Sequence, residues 1–253
     1  MLDPAIESIL SEAENAGWVL EPEAKRLLKL AGLSTPRYVW AREKADALSF
    51  ARQVGYPVVA KVVSPRVVHK TEVGGVAVGI RDESSLEAAF DRFARIDGFA
   101  GVLVEESLGG VELIVGAKMD YQFGPVVLLG IGGTAVEIYK DVSVRMAPLE
   151  ARDVRSMVTC LIGRRLILGH RGSPAVNPER LVAMMVNFSK LVMQLEGRFT
   201  SIDLNPVFGT PQDCVVADAR IMLREEAAAA EDTSCADEKP SPLEDSHVCR
   251  RPL

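Results

Sequence analysis

The sequence has no apolar run approaching the roughly 18 residues that a membrane-spanning helix needs, so no membrane segment is expected. Its start, Met1-Leu2-Asp3-Pro4, lacks the basic segment and apolar block of a secretory signal. The four cysteines, Cys160, Cys214, Cys235 and Cys249, form no CxxC, and no Cys/His pair stands at metal-ligand spacing. A reduced, cytoplasmic setting is therefore expected. Basic charge is not in surplus either: 29 Lys+Arg against 35 Asp+Glu leave a net charge of −6. That balance gives no electrostatic footprint for nucleic acid. The phosphate loop GxxxxGK[ST] is missing, as is a G-x-G-x-x-G after the first strand. Gly130-Ile131-Gly132-Gly133 is only a fragment of the latter. Any nucleotide site must be built another way.

What is present is an ordinary globular composition: 253 residues, 48% hydrophobic and 25% charged. Such a chain can bury a sizeable core, as one large domain or two coupled lobes. From Ala227 to Leu253 there is no glycine or aromatic residue and almost no aliphatic one, so this acidic tail is expected to be disordered. Helical and strand patterns alternate before it. Pro22 and Gly32 bracket a helix, and 43–54 has helical spacing ended by Gly55. Pro57 to Val63 is a β-branched apolar run that reads as a buried strand. Strands follow at 76–80, 102–106, 112–117 and 126–129, then helices at 151–161 and 179–195. A strand pair, 200–207 and 215–223, brackets the turn at 209–213. The pattern is α+β with mixed sheets, not a doubly wound alternation.

Four groups of residues carry possible chemistry. Lys61 lies inside the apolar strand, where an unpaired ammonium is costly. It is aimed at phosphates, sits at a strand edge or joins a structural ion pair. Ser64 to Gly75 places Arg66, His69 and Lys70 on one loop that ends in Gly74-Gly75. A neutral imidazole at His69 can act as a phosphoryl nucleophile, or the ring is simply an exposed loop histidine. His170 and His247 lack comparable surroundings. Asp203 and Asn205 share one strand face by their i, i+2 spacing, and Asp218 follows across the turn. These are hard oxygen donors suited to Mg²⁺ with phosphates, or residues that serve the turn. Glu112, beside Gly109-Gly110 and after Glu105-Glu106, is either a ribose acceptor or a solvent-facing strand residue.

In order and spacing these segments resemble an ATP-grasp domain, and more narrowly the β subunit of NDP-forming acyl-CoA synthetases, the acetate–CoA ligase (ADP-forming) group. The blocks are 55–65 (Gly-Tyr-Pro-Val-Val-Ala-Lys-Val-Val-Ser-Pro), 69–76 (His-Lys-Thr-Glu-Val-Gly-Gly-Val), 123–127, 130–137 with Lys140-Asp141, Arg171-Gly172, and 203–206 with Asp218-Ala219-Arg220. The resemblance implies an α+β ATP-grasp fold of two lobes. A lead-in helix would occupy 1–19, the smaller lobe 20–99 and the larger lobe 100–226, with nucleotide between the lobes. It implies that Lys61 contacts the phosphates, the backbone near Glu105 and Glu106 the adenine, and Glu112 the ribose. Asn205 and Asp218 would bind Mg²⁺, Asp203 would lie near the transferred phosphoryl group, and His69 would relay it on a loop hinged at Gly74 and Gly75. The cofactors implied are ATP or ADP and Mg²⁺. The partner implied is an α subunit, in a hetero-oligomer, that binds CoA and carries a second phosphohistidine. Two departures stand out: Arg66 replaces the usual acidic residue after Ser-Pro, and the acidic tail lies outside the pattern. A self-contained ATP-grasp carboxylate ligase and a non-catalytic ATP-sensing module remain as alternatives.

Overall fold

The structure, a computed structural model, describes residues 2–133 and 141–224. The acidic tail with His247, Cys235 and Cys249, and residues 134–140 with the second half of the 130–137 block and Lys140, lie outside the described residues.

The chain opens with α1 (Pro4–Ala13), capped by the Asp3 carboxylate on the Ala5 N–H, then β1 (Trp18–Val19) and α2 (Glu21–Leu30). The next block is β2 (Tyr38–Ala41), α3 (Lys44–Val54), β3 (Val58–Val63), β4 (Val76–Ile80), α4 (Glu83–Phe93) and β5 (Gly101–Glu106). Then come β6 (Val111–Asp120), β7 (Gly124–Ile131), β8 (Val142–Met146), α5 (Ala151–Cys160), α6 (Arg164–Leu168) and α7 (Pro178–Gln194). The last strands are β9 (Phe199–Gly209), β10 (Cys214–Val216) and β11 (Ala219–Leu223).

Two sheets form. The smaller has the order β2-β5-β3-β4, and the larger β1-β11-β9-β6-β7-β8 with β10 also on β9. Among the described residues every pairing between these strands is antiparallel, so the expectation of mixed sheets is corrected. Short connections such as 121–123 between β6 and β7 permit only that geometry.

Alternation along the strands decides which side chains reach the space between the sheets. In β3, Val58, Ala60 and Val62 pack on α3 and α4 together with Val102 and Val104 of β5. Lys61 of β3 and Glu105 of β5 therefore fall on the opposite face. In the larger sheet, Val115, Ile202, Leu204 and Ile221 join a core closed by Leu27 and Leu28 of α2, Met157 of α5 and Phe188 of α7. Its other face carries Asp203 and Arg220, which pair directly across β9 and β11.

The lobe boundaries differ from those expected at 20 and 100. Helix α2 belongs to the larger core, because Ala24, Leu27 and Leu28 are buried there. Strand β5 belongs to the smaller sheet, between β2 and β3. The change of sheet comes after Glu106, at 107–110, where Gly110 takes a φ of +144° and a Cβ would stand 2.6 Å from the Gly209 carbonyl. Likewise 1–19 is more than a helix, since β1 pairs with β11. No helix among the described residues is long and apolar enough to cross a membrane.

Candidate functional site

The N-terminus of α2 sits between the sheets, and its i, i+4 pair Glu21 and Lys25 is buried rather than solvated. Lys25 reaches Glu105 and lies 3.1 Å from Glu21 Oε1. Lys61 Nζ donates to Glu21 Oε1 and to the Ala217 carbonyl, both at 2.7 Å, and stands 2.9 Å from Glu105 Oε1 and 3.8 Å from Asp218 Oδ2. Lys70 Nζ lies 2.8 Å from Glu21 Oε2 and 3.6 Å from Asp218 Oδ1. The Lys70–Glu21 contact is an ion pair by distance but poor in angle, since Glu21 Oε2 has no hydrogen-bond partner of good geometry. Three ammonium groups thus meet the buried carboxylates of Glu21 and Glu105, with the partly exposed Asp218 carboxylate at the rim.

This arrangement fixes charge states. Burial alone would raise the Glu21 carboxyl, but Lys61, Lys25 and Lys70 outweigh it and hold the group far below the ordinary carboxylate range. Burial would lower the Lys61 ammonium, yet Glu21, Asp218 and Glu105 raise it well above the ordinary lysine value. Lys70 is raised in the same sense by Glu21 and Asp218 against its burial. Lys61 and Lys70 are thus held cationic around one shared carboxylate, Glu21.

Beside this network opens a cleft of about 320 Å³ that brings together His69, Lys70, Asp203, Asn205, Asp218 and Arg220. The period-two placement of Asp203 and Asn205 holds, and both face the cleft. Asp218 lies between β10 and β11 instead of within one continuous strand, and its carbonyl accepts from the Asn205 N–H at 3.2 Å. The His69 ring is exposed, and its Nε2 lies 3.5 Å from Arg220 Nη1. Arg220 in turn donates to Asp203 Oδ2, from Nη2 at 2.9 Å and from Nε at 3.3 Å. Three hard oxygen side chains facing one cleft, with ammonium groups beside them, fit a Mg²⁺ shared with phosphates.

The loop that carries His69 is held more firmly than a free glycine hinge would be. Gly75 donates to the Lys70 carbonyl at 2.7 Å, and its own carbonyl accepts from Val62 at 2.8 Å. A Cβ at Gly75 would lie 2.5 Å from Val62 Cγ1, so close packing explains this glycine. Gly74 alone has the open surroundings and left-handed φ, +65°, of a hinge residue. Arg66, the departure after Ser-Pro, pairs with exposed Asp97 at 3.0 Å, away from the cleft residues.

The remaining expected residues lie elsewhere. The Glu105 side chain is turned into the lysine network. Glu106 is held by Arg37, whose N–H and Nε donate at 2.8 and 2.7 Å, and its own N–H donates to the Arg37 carbonyl. Glu112 is exposed on β6, with an oxygen 3.4 Å from where a Gly133 Cβ would stand. Glu21 and Lys25 were not anticipated: on a helix their spacing reads as a surface pair.

The whole segment 11–223 matches the family model described as ATP-grasp domain. Among curated relatives, the acetate–CoA ligase [ADP-forming] I subunit beta of Pyrococcus furiosus is 38% identical over 221 residues, 84% of this chain and 94% of that one. The acetate–CoA ligase [ADP-forming] I of Archaeoglobus fulgidus is 37% identical over 231 residues, 88% of this chain but only 34% of that longer one. Among solved structures, the dinucleotide-forming acetyl-coenzyme A synthetase 1 of Ca. Korarchaeum cryptofilum, with coenzyme A and Ca-AMPCP, gives a TM-score of 0.80 at 36% identity over 86% of this chain and 99% of that one. The same enzyme with Mg-AMPPCP, its phosphohistidine segment pointing towards the nucleotide site, gives 0.75 at 36% identity over 87% of this chain and 100% of that one. With its antiparallel two-lobed fold and a lysine-lined cleft between the sheets, this chain belongs to the ATP-grasp family, in the group of β subunits of ADP-forming acyl-CoA synthetases, which are acid–thiol ligases.

Proposed function

We propose that the chain is the nucleotide-binding subunit of an ADP-forming acyl-CoA synthetase, which interconverts acid, CoA and ATP with acyl-CoA, ADP and phosphate, and that His69 relays the phosphoryl group. The reading is carried by one observation: the His69 ring and the half-buried Lys70 line one cleft with Asp203, Asn205 and Asp218, and buried Lys61 stands behind it, 3.8 Å from Asp218 Oδ2.

In this reading Lys61 and Lys70 bind the nucleotide phosphates and neutralise charge that builds up in transfer. The backbone of Glu105 and Glu106 borders the adenine, and Glu112 accepts the ribose hydroxyls. Asn205 and Asp218 hold Mg²⁺, which supplies further charge neutralisation on the phosphate oxygens. Asp203 sits beside the transferred phosphoryl group. The His69 Nε2 lone pair attacks the terminal phosphorus, the bond to the β-phosphate oxygen breaks, and ADP departs with those electrons. The reverse step makes ATP. The acyl end of the reaction belongs to a partner that binds CoA and carries a second phosphohistidine. Support for a partner comes from the subunit naming of the Pyrococcus relative and from the longer Archaeoglobus chain, of which this one spans a third.

The test mixes this chain with a CoA-binding partner, ATP, Mg²⁺, CoA and a panel of acids. Acyl-CoA is expected only when both polypeptides are present. Turnover by this chain alone would point to a self-contained ligase, and bound ATP without turnover in either case to a sensing module.

A further inference from the structure

Arg220 has no part in the chemistry described so far, yet its guanidinium stands within reach of the His69 ring. Its guanidinium spans two groups of the cleft, with Nη1 3.5 Å from His69 Nε2 and Nη2 2.9 Å from Asp203 Oδ2. Its Nε donates to that same carboxylate oxygen at 3.3 Å. The strand register explains the arrangement: Arg220 and Asp203 face each other across β11 and β9, so both project into the cleft.

The geometry points to Arg220 as a catalytic residue of phosphoryl transfer, fixing the tautomer of His69 and then holding the phosphoryl oxygens. The inference rests on the relay reading above. An arginine has donors and no acceptor, and it stays protonated. The ring nitrogen that faces it must therefore be the unprotonated one. That leaves the proton on Nδ1 and the lone pair on Nε2, engaged by Arg220 at the edge of the cleft until the terminal phosphate arrives.

Attack forms the Nε2–P bond while the P–O bond to ADP breaks and its electron pair leaves with ADP. The Nδ1 proton stays on the ring, which takes up the positive charge. The ring's one lone pair must leave the Nη1 N–H before it attacks, so the ring turns on its exposed loop and the new phosphoryl oxygens take up the Nη1 donor it releases. Asp203 keeps the guanidinium in place to receive them. Asp203 thus acts through Arg220, as a positioning residue. Asp218, 3.6 Å from Lys70, and Lys70 itself are the other charged groups at this edge of the cleft.

The side chains of Arg220 and Asp203 are 34% and 46% exposed, so replacing Arg220 leaves no buried charge behind. The experiment follows the full chain with γ-labelled ATP and Mg²⁺ in a single turnover, beside ring-¹⁵N histidine spectra. Arg220→Ala is expected to slow labelling by roughly 10²- to 10³-fold at saturating ATP. Its ATP affinity should stay within about threefold, and Arg220→Lys should recover part of the rate by restoring the charge without the fork. The ring signals of His69, assigned by their loss in His69→Ala, should show a bare Nε2 and a protonated Nδ1 in the wild type and lose that preference in Arg220→Ala. The phosphoryl group should reside on Nε2. Unchanged labelling in Arg220→Ala, a protonated Nε2 in the wild type, or phosphate on Nδ1 would overturn the role of Arg220. A wild-type chain that takes no label at all would instead overturn the relay.

Discussion

Replacing His69 by alanine is expected to lower acyl-CoA formation with the partner by at least about 10³-fold, the scale of losing a covalent nucleophile. The same variant should bind ATP within about threefold of the wild type. The asymmetry follows from position. The His69 ring is exposed on the loop, with Arg220 as its hydrogen-bond neighbour among the described residues, whereas the proposed phosphate ligands Lys61 and Lys70 are held by the buried Glu21 carboxylate. An exposed side chain of this kind contributes within about 0.5 kcal/mol to stability, so melting should be unchanged. Rate loss with intact binding and folding separates a relay from a residue that only shapes the pocket. Equilibrium titration of ATP, read beside initial rates, checks it.

Lys61→Met is expected to act in the opposite way, through folding and nucleotide affinity together. Lys61 is buried, and its removal leaves Glu21 and Glu105 with fewer countercharges. Breaking a buried network on one side costs about 3–5 kcal/mol. For a chain of this length that lowers the melting temperature by roughly 10 °C. If Lys61 contacts the phosphates as proposed, the variant should also weaken ATP about 10- to 100-fold. The pH dependence has a definite sign. The Lys61 ammonium is held above its ordinary value in the folded state, so its contribution is complete below the unfolded lysine value of about 10.4. It declines as pH rises from there through the folded value. The melting difference between wild type and Lys61→Met should therefore stay flat through neutral pH and narrow only in strong alkali. A difference that changes between pH 6 and 9 would mean that the network is not charged as described.

Much of this site could be read from local pattern. The 58–63 strand is legible because β-branched residues stand between Gly55 and Pro65, and that alternation also turns Lys61 away from the helices. Asp203 and Asn205 are legible from period two. Glu21 and Lys25 were not, because a Glu–Lys pair one helical turn apart ordinarily faces water. What buries it is the closure of the smaller sheet over α2, a contact between segments 80 residues apart such as Lys25 and Glu105. The lobe assignment of β5 failed for the same reason: sheet membership depends on a distant partner, here Val62 opposite Val102, and not on sequence neighbours. Strand β8 escaped notice although its residues alternate, because the alternation is inverted: Val142, Val144 and Met146 are exposed and Ser143 is buried.

The central claim is that the phosphoryl group travels on His69. The most direct measurement incubates the isolated chain with γ-labelled ATP and Mg²⁺, then maps the label on peptides kept at alkaline pH. An acid-labile, alkali-stable phosphoryl group is expected on the peptide that contains His69, removed on adding ADP. A chain that binds ATP yet carries no label, or carries it on another residue, would contradict the account.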